Sequence, residues 1–201
     1  MNEFYENLIK KLGKENFEKV QKTRIGLAGL GGLGSNCALS LVRVGFKKFT
    51  LVDFDSIDYS NLDRQFFFLD QVGEDKTKAL EANLRKVNPD IDIKSAKKIV
   101  EKENVASLFG DCDVVAECFD RAEHKRMLVE ELLKLGKFVV SASGLGGIGS
   151  SDEIKVHRMK KNLVMIGDLK SDISSKPALS PRVNIAAAKQ ADAILEYIIS
   201  R

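Results

Sequence analysis

A glycine turn, two cations and one carboxylate are the residues in this chain whose types and spacing could do chemistry together. Gly29, Gly31 and Gly34 satisfy G-x-G-x-x-G in the run Gly29-Leu-Gly-Gly-Leu-Gly34, and Asp53 follows about 20 residues on. Glycines there let the backbone approach a phosphate, and the later carboxylate can accept from ribose hydroxyls. These residues alone fit an NAD-dependent dehydrogenase as well as an ATP-using enzyme. The next segment, Asp53-Phe-Asp-Ser-Ile-Asp-Tyr-Ser-Asn-Leu-Asp-Arg-Gln65, separates the two. Asn61, Arg64 and Gln65 lie in a polar stretch that follows no amphipathic period and shows no evident turn logic. Arg64 offers a planar, permanently charged fork suited to phosphate oxygens. Lys76, opening the next helical stretch, adds a point charge for the same triphosphate. Asp120 follows an apolar strand at its carboxyl end, where a lone carboxylate can hold a magnesium ion that bridges phosphates. Taken singly, Arg64 and Lys76 also read as solvated surface charges and Asp120 as a helix cap. A dehydrogenase needs no such ordered set, whereas an adenylating enzyme does.

The surrounding pattern says what positions them. Phe4, Leu8, Leu12 and Phe17 recur at helical spacing, predicting one amphipathic leading helix over 3–20. Arg24 to Ala28 reads as a buried strand entering the glycine turn, Leu33 to Val44 as a helix closed by Gly45, and Lys48 to Val52 as the second strand. The alternation continues with a helix over 74–87, a strand over 91–96 and a short helix over 104–109. A strand over 113–118, a helix over 122–135 closed by Gly136, and a strand over 137–142 follow. Strand-like pieces at 154–158 and 163–166, a polar loop over 168–184 and a last helix over 185–199 complete the chain. Strands separated by helices of this length imply a Rossmann-like, doubly wound α/β fold with a mainly parallel sheet and short extra strands near the C-terminus. No linker or repeat divides residues 1–201, so one domain is expected. Gly144-Leu-Gly-Gly-Ile-Gly-Ser150 echoes the first glycine run but leads into Ser151-Asp-Glu and a strand-like piece. It reads as a strand-end loop near the substrate, since a phosphate cradle must open a helix.

Bulk composition excludes several classes. Of the 201 residues, 32 are basic and 29 acidic, and the net charge of +3 is spread along the chain. No basic cluster marks a nucleic-acid binder. No apolar run reaches the roughly 18 residues of a membrane span, and the start MNEFYENLIKK is unlike a signal peptide, so a cytoplasmic protein is expected. Cys37, Cys112 and Cys118 form no C-x-x-C pair and read as buried apolar side chains; His124 reads as a capping or solvated residue, with phosphate contact as the second reading, and His157 lies in a strand-like charged stretch where nothing marks it as catalytic.

The pattern D-x-D-x-(V/I)-x-x-S-N-L-x-R-Q downstream of G-x-G-G-L-G resembles the nucleotide site of the ThiF/MoeB/HesA branch of the ubiquitin-activating-enzyme superfamily, over about 22–145. The resemblance implies ATP-dependent adenylation of the C-terminal glycine carboxylate of a ubiquitin-like sulfur carrier protein, with ATP and Mg2+ required. It implies that Gly32 lies against the nucleotide and Asp53 binds ribose. Ser60, Asn61 and their neighbours up to Arg64 contact ATP, Arg64 and Lys76 face the phosphates, and Asp120 orders magnesium. Asp55, Gln65 and Arg121 join the nucleotide-facing set, Arg121 standing where the family usually has asparagine. Homodimers are typical. This chain lacks the two C-x-x-C pairs that bind zinc in longer relatives, so no zinc is expected. It has no cysteine after Cys118, so sulfur delivery is expected to fall to another protein. Its first arginine is Arg24, inside the first strand; Lys10, Lys11 or Lys14 could replace the N-terminal arginine that dimeric relatives insert from a partner, but they read first as exposed-face lysines of the amphipathic helix. The short length and the Gly167–Leu169 and Ser180–Val183 ending look like the compact ThiF subgroup linked to thiamine thiazole synthesis. Adenylation of a small molecule, a peptide terminus or a modified tRNA base is the alternative, and an NAD-dependent oxidoreductase a further one.

Overall fold

The computed structural model describes residues 3–172 and 175–201. Helices α1 (Glu3–Leu12) and α2 (Lys14–Lys22) lead into β1 (Arg24–Ala28), α3 (Gly32–Arg43) and β2 (Lys48–Asp53). Then come α4 (Lys76–Arg85), β3 (Asp92–Lys97), α5 (Val105–Phe109), β4 (Val114–Glu117), α6 (Ala122–Lys134) and β5 (Phe138–Ala142). The hairpin β6 (Lys155–Lys160) and β7 (Leu163–Gly167) precedes the long α7 (Ser180–Ile199). The expected single leading helix is two. Gly13 adopts φ 78° between α1 and α2, so the chain turns there although the apolar spacing carries on across it.

The seven strands form one sheet in the order β3-β2-β1-β4-β5-β7-β6, parallel except for the β6–β7 pair. The inner strands β4 and β5 are buried throughout, as strands covered on both faces must be, while the edge strands β3 and β6 are mostly exposed. Leu41, Leu80 and Ile194 bring α3, α4 and α7 onto one face; Phe109, Leu128 and Leu132 bring α5 and α6 onto the other. The winding reverses between β1 and β4, which opens a crevice at the carboxyl edge of the sheet. All of the expected site residues lie in segments that leave β1, β2 or β4 at that edge. Among the described residues no helix is long and apolar enough to cross a membrane.

Candidate nucleotide site

The glycine turn closes on itself through two glycines. Gly29 leaves β1 with φ 88° while its amide donates to the Val52 carbonyl at 2.9 Å. A Cβ on Gly34 would lie 1.9 Å from the Gly29 carbonyl oxygen, so only glycine lets α3 start this close behind β1. Gly31 stands at the N-cap of α3, and the first-turn amides have no intrahelical partners. An anion at the sheet edge would meet them and the positive end of the helix. Gly32 faces protein: a Cβ there would stand 2.8 Å from Val183 Cγ1 and 3.3 Å from Arg64 Cγ.

Asp53 ends β2 with its carboxylate buried beneath the turn. Its Oδ2 accepts the Leu30 amide at 2.6 Å and its Oδ1 the Asp55 amide at 2.8 Å, which ties the glycine turn to the start of the polar segment. Each carboxylate oxygen has two lone pairs, so one on each is left for a hydroxyl.

The polar segment does have turn logic, contrary to the sequence reading. Asp58 caps a short 3-10 turn over Tyr59–Asn61: its Oδ1 accepts the Ser60 amide at 2.8 Å, and Asn61 Oδ1 accepts the Asp58 amide at 3.1 Å. The Ser60 donors hold the Asp58 carboxyl below its ordinary range. Asn61 is thus a capping residue, and Ser60 is exposed. The segment is stitched to α3, where Asn36 Nδ2 donates to the carbonyls of Gly32 and Arg64, and Ser35 Oγ accepts the Phe66 amide at 3.0 Å. Arg64 Nη1 donates to the Ser60 carbonyl at 3.0 Å and to Asp63 Oδ1 at 2.6 Å. Gln65 is held beside Gly31, and its Oε1 is buried with no hydrogen-bond partner among the described residues. Lys76 is 5% exposed, and its ammonium donates to Asp55 Oδ2 at 2.9 Å. Both cations therefore hold a local carboxylate, so a phosphate would have to compete with Asp63 and Asp55.

Across the crevice, Asp120 lies exposed beyond β4, and its carboxylate makes no side-chain hydrogen bond or ion pair among the described residues. Arg121, not Asp120, occupies the N-cap position of α6, and it makes no capping bond. His124 is exposed beside Glu123 and packs its edge on Phe119; His157 Nε2 bonds the Gly167 carbonyl at 3.0 Å. All three cysteines are free and buried.

Sequence reasoning missed what supports this loop. Glu117, fully buried at the end of β4, accepts the Phe119 amide at 2.6 Å, Ser141 Oγ at 2.6 Å and Lys125 Nζ at 3.1 Å. Gln190 of α7 donates to the carbonyls of Glu117 and Val140 at 3.1 Å. An acid inside the apolar run Asp113–Cys118 was the available signal, since a buried charge needs partners. The second miss is the buried pair Arg182–Asp168, 2.8 Å apart. Burial would raise the Asp168 carboxyl, but the amides of Ser171 and Lys170 and the Arg182 guanidinium outweigh it and hold the group below the ordinary range. These residues border a cleft of about 590 Å³ between the second glycine run and Lys170, Ser171, Lys176 and Pro177. The run opens no α-helix: Ser151–Glu153 is a 3-10 turn leading into β6.

The ThiF family model matches residues 5–197, nearly the whole chain. The chain belongs to the ThiF family. Among curated ThiF relatives, SUMO-activating enzyme subunit 2 of Dictyostelium discoideum is 31% identical over 157 residues, covering 77% of this chain and 24% of that protein. The adenylyltransferase and sulfurtransferase UBA4 of Candida glabrata is 36% identical over 132 residues, covering 65% of this chain and 30% of its own length. The chain thus spans about a quarter to a third of those relatives. Among solved structures, E. coli tRNA N6-threonylcarbamoyladenosine dehydratase in complex with ATP superposes with a TM-score of 0.88 at 19% identity, covering 98% of this chain and 94% of that one. At that identity the likeness is one of fold, and it extends to the C-terminal hairpin and α7.

Proposed function

We propose that this ThiF-family chain is an ATP-dependent adenylyltransferase that activates the C-terminal glycine carboxylate of a ubiquitin-like sulfur carrier protein, in the service of thiamine thiazole synthesis. The observation that carries the reading is the ordered set at the carboxyl edge of the sheet. It comprises the glycine turn over the end of Asp53, Arg64 and Lys76 after β2, and a free Asp120 after β4. The names of the curated relatives, a SUMO-activating subunit and an adenylyltransferase and sulfurtransferase, support it.

In this reading the acceptor carboxylate oxygen attacks the α-phosphorus and pyrophosphate leaves, giving an acyl adenylate. No side chain need act as nucleophile or base, because the attacking oxygen is already ionised. The chain's task is alignment and neutralisation of charge on the departing phosphates. Arg64 and Lys76 would exchange Asp63 and Asp55 for phosphate oxygens, Asp53 would take ribose hydroxyls, and the α3 amides would face the phosphates. Ser60, Asn61, Gln65 and Arg121 would line the nucleotide. Among the described residues no three His, Cys, Asp or Glu side chains gather as a metal site. A magnesium ion would therefore need phosphate oxygens beside Asp120, which fits an ion arriving with ATP. The same reading has the chain acting as a homodimer in the cytoplasm.

The test is pyrophosphate–ATP exchange with Gly-Gly-ended carrier proteins, small carboxylates and modified tRNA as separate acceptors. Exchange only with carriers, abolished in Asp120→Ala with the fold intact, is expected. Exchange with tRNA or small carboxylates alone would move the substrate to those classes, and no exchange with any acceptor would count against adenylation.

A further inference from the structure

Arg182 has no part in the nucleotide site, yet it is 5% exposed and nearly all its donors are engaged. Its Nε donates to the Leu145 carbonyl at 3.3 Å, its Nη1 to the carbonyls of Gly149 at 2.6 Å and Ser150 at 3.0 Å, and its Nη2 to Asp168 Oδ2 at 2.8 Å. One guanidinium thus grips both ends of the second glycine run and the loop that leaves β7. That run needs a grip. Gly144, Gly147 and Gly149 have positive φ and Ser150 sits at φ 47°; among the described residues the run's backbone–backbone ties to distant segments are the Asp168 amide on the Gly144 carbonyl and the Gly147–Ala178 bridge. The residue after Arg182 touches the other site, with Val183 packing on Gly32. The first turn of α7 therefore contacts the nucleotide turn and the second glycine run through adjacent residues. Ser171, whose side chain bonds the Asp168 carboxylate, also lines the cleft beside Arg182.

We infer that Arg182 is a positioning residue for the acceptor: by clasping residues 145–150 to Asp168 it fixes one wall of the cleft through which the carboxylate reaches the nucleotide. This rests on the adenylyl-transfer reading above. The fork geometry matters more than the charge, since one ammonium can face Asp168 but cannot bond three diverging carbonyls. Displacing such a wall by about an ångström weakens productive alignment ten- to a hundred-fold.

The experiment compares wild type, Arg182→Gln and Arg182→Lys in three measurements on the full chain. These are amide hydrogen exchange over 144–150, affinity for Mg·ATP, and the acceptor KM in pyrophosphate exchange. Expected in Arg182→Gln are loss of protection over 144–150, Mg·ATP affinity within about twofold of wild type, and an acceptor KM raised at least tenfold. Arg182→Lys should restore thermal stability more than acceptor KM. Unchanged protection over 144–150 overturns the inference whatever the exchange assay shows. So does a lower melting temperature accompanied by an unchanged acceptor KM. Should Arg182→Gln fail to fold, Arg182→Lys and Asp168→Asn carry the same readouts. A wild-type chain that binds Mg·ATP but exchanges with no acceptor counts against the functional reading, and hydrogen exchange then decides the clasp separately.

Discussion

Replacing Lys125 by methionine would show how strongly the loop bearing Asp120 is held. Glu117 has no exposed side chain, and Lys125, 19% exposed, is its one counter-charge among the described residues. Removing one partner of a fully buried ion pair costs about 3–5 kcal/mol, because the remaining charge stays out of water. Here the Phe119 amide and the Ser141 hydroxyl, both at 2.6 Å, still serve the carboxylate, and Lys125 keeps some contact with solvent. The expected cost of Lys125→Met is therefore lower, about 2–3 kcal/mol. Glu117→Gln should cost about 1–3 kcal/mol, since an amide can accept from Phe119 but sets an N–H against the ammonium. The double variant removes both charges and should return most of the loss, giving a coupling of at least about 1 kcal/mol. Urea unfolding measures it: with a slope of about 2–3 kcal/mol/M, Lys125→Met moves the midpoint down by about 1 M. Additive single and double variants would refute the buried-pair argument. So would a Lys125→Met midpoint equal to that of wild type.

Other consequences follow from the same geometry. Gly34→Ala would drive a methyl into the Gly29 carbonyl and should abolish ATP binding while costing about 1–3 kcal/mol in a thermal melt; normal ATP affinity would contradict the glycine-turn account. Asp55→Asn leaves the buried Lys76 ammonium unpaired and should cost about 1–2 kcal/mol, the partner being half exposed. Saturating Mg·ATP should then raise the melting temperature more than in wild type, because phosphate replaces the lost partner; an equal or smaller rise would tell against Lys76 facing phosphates. Burial pushes the Cys112 thiol up to about 11, Cys37 up to about 12, and Cys118 well above 9.0. The folded state thus holds these protons more tightly than the unfolded one, so the thiols' contribution to stability is fully present below pH about 8.5 and is lost as pH rises past it toward the folded values. Alkylation at pH 8 should spare all three thiols until the chain unfolds, and rapid native labelling would contradict their burial.

Much of the fold was legible because its signals are local. Arg24–Ala28 has the expected strand limits, and α3 starts one residue before its expected position, since a glycine turn followed by apolar helical spacing leaves little choice. The last helix starts at Ser180 rather than Ile185: Pro181 is tolerated in a first turn, and the polar residues around it read as loop although Arg182 is buried. At the candidate site, the residues singled out lie together at the carboxyl edge of the sheet, but their partners could not be read from their types. That Asn61 caps a turn, that Arg64 and Lys76 hold Asp63 and Asp55, and that Glu117 is paired with Lys125 depend on contacts between segments far apart in the chain or on backbone geometry. Arg182 lay deepest out of view, because its four acceptors come from two loops with no periodic pattern.

The central claim is that the crevice between β1 and β4 takes a triphosphate, with Arg64 on its phosphates. Calorimetric titration of the wild-type chain and Arg64→Ala with Mg·ATP and, separately, with NAD tests it most directly. Saturable Mg·ATP binding, weakened about ten- to a hundred-fold in Arg64→Ala at unchanged melting temperature, with no NAD binding, is the predicted result. NAD binding in preference to Mg·ATP, indifferent to Arg64→Ala, would contradict it.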